Sequence, residues 1–239
     1  MSVLFVHGVP DTERVWHAVR ENLGRDDVVT LKLPGFGAPP PPQFDPTKDA
    51  YAAWLVAEMA KHPTPVDLVG HDWGGLLVVR AACLRPDLVR TWAAGAAPLD
   101  PEYTWHEAAG LWQTPEVGER VMEKLTPERL AQALAAAGVP AADAREAASR
   151  LDDTMKRSIL RLYRSAVDVG HEWYADLARI PARGLVLWGE KDPYAAPEWG
   201  RRLAERTGAR LVIYPGCSHW WQLERPDAVA AELDAHWRW

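Results

Sequence analysis

The chain is poor in cysteine, with Cys83 and Cys217 alone among 239 residues and in unrelated contexts. Two such residues do not make a disulfide framework, and both are expected as free thiols. Long apolar runs are missing too. Every apolar stretch is strand-sized, so no transmembrane segment is expected. No basic, apolar leader opens the sequence, so no signal peptide is expected and the cytoplasm is the expected location. Excess positive charge is also absent: 27 Lys and Arg stand against 33 Asp and Glu, a net charge of −6 with the signs interspersed. Neither nucleic acid nor an acidic membrane surface is an expected partner. Internal repeats are lacking. What remains is an ordinary globular balance, 48% hydrophobic and 25% charged, at a length suited to one large domain or a core domain with an insertion. The one surplus is tryptophan, thirteen residues that suit core filling and the wall of an apolar pocket.

Six short segments read as strands. "SVLFVHG" (2–8) is a continuous apolar run closed by glycine, the pattern of a strand buried on both faces. Segments 26–35, 65–70, 88–97, 183–190 and 209–216 follow it. Helical spacing occupies 12–23, 48–61, 74–85, 196–206 and 226–237. This alternation predicts a parallel sheet with helices on both faces. It breaks once, between residues 98 and 181, where Ala, Glu and Arg recur at helical spacing and no strand is evident. That segment reads as a helical insertion between two strands. "GAPPPPQF" (37–44) reads as a stiff loop of polyproline type, a spacer rather than a docking motif.

The chemistry gathers at "VDLVGHDWGGLLVV" (66–79), where Asp72 sits in a tight turn between a β-branched strand and a helix. Such a turn lifts its apex side chain clear of the sheet, and Gly70 and Gly74 supply the small neighbours it needs. The N–H groups and dipole of the following helix favour an anion at the apex, so Asp72 is expected to be ionised. Helix capping is the plainer role for an acid there. "FVHGVP" ends the first strand with the Val9 N–H free to converge with that of Trp73, two donors that suit an oxyanion hole. "GCSHWW" places His219 after the last strand, and "WGEKDPY" places Asp192 after the strand before it. A nucleophile, a base and an orienting acid on three strand-end loops form a recurrent catalytic constellation. Asp100, in "AAPLDPEY", is a rival for the acid. His7 and His71 read as structural groups bonding loop backbone. Cys217 beside His219 invites a Cys–His reading, which Asp72 makes unnecessary.

"HGVP", "GHDWGG", "GEKD" and "GCSHW", in this order, resemble the aspartate-nucleophile branch of the α/β-hydrolase superfamily, which contains epoxide hydrolases and haloalkane dehalogenases. The resemblance covers nearly the whole chain. It implies an α/β-hydrolase core from residues 1–97 and 182–239 and a helical cap, or lid, from 98–181. Such chains usually carry an N-terminal hairpin before the His-Gly strand. Here that strand begins at residue 2, so about six parallel strands are expected. The resemblance implies Asp72 as nucleophile, His219 as base, Asp192 as its orienting acid, and no metal or organic cofactor. A carboxylate can displace a leaving group from tetrahedral carbon without first losing a proton, giving an alkyl-aspartyl ester that water then hydrolyses.

The leaving group decides what the lid must offer. An epoxide opens to an alkoxide and wants an O–H donor, while a halide wants N–H donors without proton transfer. "RLYRSA" resembles the lid segment with the second tyrosine of epoxide hydrolases, which fits Tyr163. "GLWQTPEVGE" resembles the segment with the first, but Leu111 stands at that position, followed by Trp112. Tyr103 and Tyr174 are possible substitutes, and Trp73 with Trp112 is a possible indole pair for a halide. Valine in "HGVP" stands where many dehalogenases use asparagine. Tryptophan after Asp72 stands where fluoroacetate dehalogenases use arginine, although "WHE" (105–107) resembles part of their lid. Trp105, Trp220 and Trp221 point to an apolar site. The expectation is epoxide hydrolysis of a small, mostly apolar substrate by water, with haloalkane dehalogenation as the alternative. A non-catalytic binding protein on the same fold is the third.

Overall fold

The computed structural model describes residues 2–180 and 182–238. Their strands are β1 (Val3–Val6), β2 (Val28–Leu31), β3 (Val66–His71), β4 (Val89–Gly95), β5 (Arg183–Gly189) and β6 (Arg210–Tyr214). They form one sheet in the order β2-β1-β3-β4-β5-β6, with every pairing parallel. All six expected strands are present, and the α/β-hydrolase fold expected from the motifs is the fold observed.

The continuous apolar strands follow from burial on both faces. Leu4, Val6 and Leu68 point to one side, where α2 (Lys48–Met59) and α3 (Trp73–Leu84) cover them. Phe5, Val69 and Leu187 point to the other, against Trp16, Leu233 and Trp237. That second face is covered by α1 (His17–Glu21) and α12 (Pro226–Trp237). The expected helix over 12–23 is instead a 3₁₀ turn at Glu13–Trp16 running into the short α1. Thr12 makes no side-chain capping bond there, so the first turn tightens rather than opening as an α-helix.

Between β4 and β5 the chain is helical: α4 (Glu107–Gln113), α5 (Val117–Lys124), α6 (Pro127–Ala136), α7 (Ala141–Ala148), α8 (Asp153–Arg164) and α9 (Val169–Tyr174). Residue 181, the expected end of this insertion, lies outside the described residues. Side-chain caps start three of these helices, from His106, Thr126 and Asp152. Ion pairs tie the insertion to the core, Arg80 to Asp176 and Lys48 to Glu172 at 2.6 Å each. The remaining core helices are α10 (Pro197–Thr207) and α11 (Trp221–Glu224). Among the described residues no helix is long and apolar enough to cross a membrane.

Candidate active site

Asp72 adopts φ 54° and ψ −124° between β3 and α3, a left-handed conformation that few non-glycine residues tolerate. The surrounding glycines make the turn possible. A Cβ on Gly70 would meet the Gly74 carbonyl oxygen at 2.2 Å, and one on Gly74 would meet that of Val6 at 2.2 Å. A Cβ on Gly8 would lie 2.4 Å from Asp72 Oδ2, so the His-Gly loop needs glycine to let the carboxylate in. The Val9 N–H donates to Asp72 Oδ2 at 2.8 Å. The donor expected to be free for an oxyanion is thus held by the carboxylate itself.

His219 Nε2 lies 3.9 Å from Asp72 Oδ1, and its Nδ1 bonds Asp192 Oδ2 at 2.8 Å. Asp192 is fixed in turn, its Oδ1 accepting the Tyr194 and Ala195 N–H groups at 2.8 and 3.0 Å. The loops carrying Asp192 and His219 are joined by the Lys191 N–H, which donates to the Cys217 carbonyl at 2.8 Å. Gly189 permits the approach, since a Cβ there would lie 1.8 Å from the Ser218 carbonyl oxygen. Asp72, His219 and Asp192 are therefore brought together. Asp100 is not: its Oδ2 pairs with Arg202 Nε at 2.8 Å and its Oδ1 accepts the Glu102 N–H at 2.9 Å, so it has no part in orienting His219.

The charges are coupled. Burial pushes the Asp72 carboxyl upward, against the pull of the His219 charge and of the Val9 and Trp73 N–H groups. Burial alone would lower His219. The charge and hydrogen bond of Asp192, then Asp72 and Asp11, overcome it and raise the imidazole to about 9. The imidazole is therefore favoured in its protonated form at neutral pH. The other two histidines near the motifs bond loop backbone. The Leu33 N–H donates to His7 Nε2 at 3.1 Å, which leaves its Nδ1–H to bond the Gly8 carbonyl at 2.8 Å. His71 Nε2 bonds the His219 carbonyl at 2.9 Å.

Above the carboxylate lies a cavity of about 260 Å³. Around Asp72 its wall is aromatic, with Tyr103, Trp105, His106, Trp112, Tyr163 and Tyr194. Further out it is aliphatic, with Leu111, Val121, Leu125, Leu130 and Leu134 from the insertion. Among the described residues no lysine or arginine lines it. Three of the expected pocket residues, Tyr163, Trp105 and Trp112, meet here, with the Tyr163 ring 5.3 Å from Trp105 and 4.9 Å from Trp112. Trp220 also lines the cavity, whereas Tyr174 and Trp221 do not. Nor does Trp73, which is fully buried beneath a stacked Trp105 at 5.9 Å, so the Trp73–Trp112 indole pair does not form across the cavity.

Two wall residues carry no clear mark in the sequence. Tyr194 follows Asp192 by two positions, and its ring stands edge-on to His219 at 5.2 Å. His106 Nδ1 accepts the Ala109 N–H at 3.3 Å, which leaves the Nε2 proton on the neutral ring. Burial, with His219 adding to it, lowers His106 to about 4. Among the described residues no group of His, Cys, Asp and Glu is arranged to hold a metal ion.

The chain belongs to the alpha/beta hydrolase family, whose model matches residues 3–232. It is similar to the pimeloyl-[acyl-carrier protein] methyl ester esterase of Chromobacterium violaceum, 31% identical over 245 residues that cover 97% of this chain and 85% of the esterase. Lipase LipV of Mycobacterium tuberculosis is 34% identical over 102 residues, only 41% of this chain and 36% of the lipase. A solved structure of a putative ancestral haloalkane dehalogenase superposes with a TM-score of 0.80 at 23% identity, covering 98% of this chain and 90% of that one. At that identity the likeness is one of fold.

Proposed function

We propose that this hydrolase opens small, uncharged, mostly apolar epoxides to diols through a covalent ester on Asp72, working in the cytoplasm on a substrate and water alone. The observation that carries the reading is a carboxylate at the apex of the strand–helix turn, flooring an apolar cavity with an imidazole 3.9 Å away. Asp72 attacks a ring carbon in line, the ring C–O bond breaks, and its oxygen is protonated by a wall phenol, Tyr163 or Tyr194. Burial, with the Asp72 charge adding to it, raises Tyr163 well above the ordinary phenol range, so it stays a protonated donor.

Esterification removes the Asp72 charge that helps hold the proton on His219. The imidazole gives up that proton to the phenolate left by ring opening, which restores the phenol, and becomes a base. Water then adds to the Asp72 carbonyl carbon while His219 takes its proton. The Val9 and Trp73 N–H groups bond the oxyanion, and collapse expels the alkoxide, which recovers the proton from His219. The 98–181 helices act as the cap that keeps bulk water from the ester.

Halide release is the second reading, favoured by the Trp105, Trp112 and His106 rings in the wall. The burial of Trp73 removes half of the indole pair it would need, and a halide has no use for the phenols. An ester substrate, as in the name of the Chromobacterium relative, suits this site less well. Carboxylate attack on an ester carbonyl would give a mixed anhydride, which is higher in energy than the ester consumed.

The test is intact-protein mass spectrometry with styrene oxide and with 1-bromohexane. His219→Gln should gain the mass of the epoxide on Asp72, while Asp72→Asn gains none. Bromide released by the parent enzyme without diol from the epoxide would reverse the ranking.

A further inference from the structure

Asp11 is a third carboxylate close to His219, and the proposed reaction leaves it without a role. It is 4% exposed, and its Oδ2 accepts the Trp220 indole N–H at 3.0 Å. The same oxygen lies 3.9 Å from His71 Nδ1. That nitrogen is buried and has no hydrogen-bond partner, while the other nitrogen of the ring bonds the His219 carbonyl. The His71 and His219 rings are 4.7 Å apart, and Trp220 stands edge-on to His219 at 4.8 Å. Asp11 thus touches both aromatic groups that bracket the imidazole.

We propose that Asp11 is a positioning residue that acts on His219 through His71 and Trp220, and adds a carboxylate beside the imidazolium that forms as water attacks the ester. This rests on the ester reading above. Burial, opposed by the Trp220 N–H and reinforced by the Asp72 charge, raises the Asp11 carboxyl to about 7. Esterification removes the Asp72 charge. Asp11 then ionises more readily, and the imidazolium that forms as water attacks keeps a second carboxylate beside Asp192. The groups that face Asp11 are His71 and Asp72 from β3 and its turn, His219 and Trp220 from the last loop, Arg14 from its own loop, and Asp143 and Glu146 from α7. The last three line a small cavity of about 20 Å³ that reaches Asp11. Its size suits one water, which gives the Asp11 proton a way out.

The experiment separates ester formation from ester hydrolysis by rapid quench and mass spectrometry, using styrene oxide across pH 5–9. For Asp11→Asn the ester should form within about threefold of the parent rate, and its hydrolysis on the plateau above the acid limb should slow by up to about tenfold, the most that one pKa unit of His219 stabilisation supplies. The acid limb of the hydrolysis step should move to lower pH, because one fewer carboxylate raises His219. A packing role alone would change rates without moving that limb. Trp220→Phe keeps a ring against His219 and removes the N–H that lowers Asp11, so it should move the limb the same way by less, whether or not Asp11→Asn folds well. Hydrolysis at the parent rate with an unmoved limb overturns the proposal. Absence of any ester on His219→Gln removes the reading beneath it, and the proposal with it.

Discussion

Two aspartates five residues apart, one near the start of β3 and one in the turn that follows it, do opposite work. Asp67, at the start of β3, is fully buried. Its Oδ2 faces Arg90 and Arg25, and its Oδ1 accepts the Thr91 hydroxyl at 2.6 Å. Asp72, at the other end, has one backbone bond at 2.8 Å, a strained backbone and an imidazole 3.9 Å away across the rim of a cavity. A carboxylate with both oxygens engaged by side chains of neighbouring segments joins strands. One held by backbone N–H groups and aimed at open space is poised for chemistry. Burial alone does not separate the two; the partners do.

The comparison breaks first at the functional end. Asp72→Asn should cut turnover by at least about 10⁴-fold, as loss of a nucleophile does, with little change in melting temperature. A variant retaining a tenth of the activity would make Asp72 a helix cap. Gly8→Ala should lose roughly 100-fold, because its Cβ displaces the carboxylate from the attacking position, while the fold persists. Kinetics and circular dichroism on the same sample check both parts. At the structural end, Asp67→Asn should lower unfolding free energy by about 2–3 kcal/mol in urea, by taking the carboxylate from Arg90, with kcat unchanged. Loss of kcat in that variant at full stability would erase the distinction.

A second contrast, between the histidines, shows only in acid. Burial, opposed by the Gly8 bond, lowers His7 to about 4. Between the unfolded value near 6.5 and this folded value the unfolded chain takes up a proton that the folded chain does not. Stability is therefore full above about 6.5 and falls as pH drops toward 4, by up to about 3 kcal/mol. His7→Gln should flatten that slope in acid denaturation. An unchanged slope would show that His7 is not the buried neutral ring described.

How much of this was legible in the sequence depends on what each feature needs. β1 and β3 lie between two helix layers, so their side chains are apolar on both faces and the strands read as continuous runs. The turn at Asp72 declares itself because its neighbours must be glycine. His219 and Asp192 follow strands that the sequence already reveals. The wall of the cavity was harder. Whether Trp73 or Trp105 faces the substrate depends on how α4 and α8 pack over α3, and local spacing carries no record of that. Asp100 is a rival to Asp192 in the sequence, and only the fold shows Arg202 holding it away from His219. Asp11, just past the proline of "HGVP", looks like any exposed loop acid. Only the fold, with Trp220 brought from 209 residues away, shows it buried.

The central claim is that the Asp72 carboxylate itself forms the bond to carbon, and one turnover in ¹⁸O-labelled water tests it most directly. Water that attacks the ester carbonyl leaves its oxygen on the aspartate. With enzyme in excess over styrene oxide, the peptide containing Asp72 should gain one ¹⁸O and the diol none. Label in the diol with an unlabelled Asp72 would mean that water attacks the substrate directly, and would contradict the account.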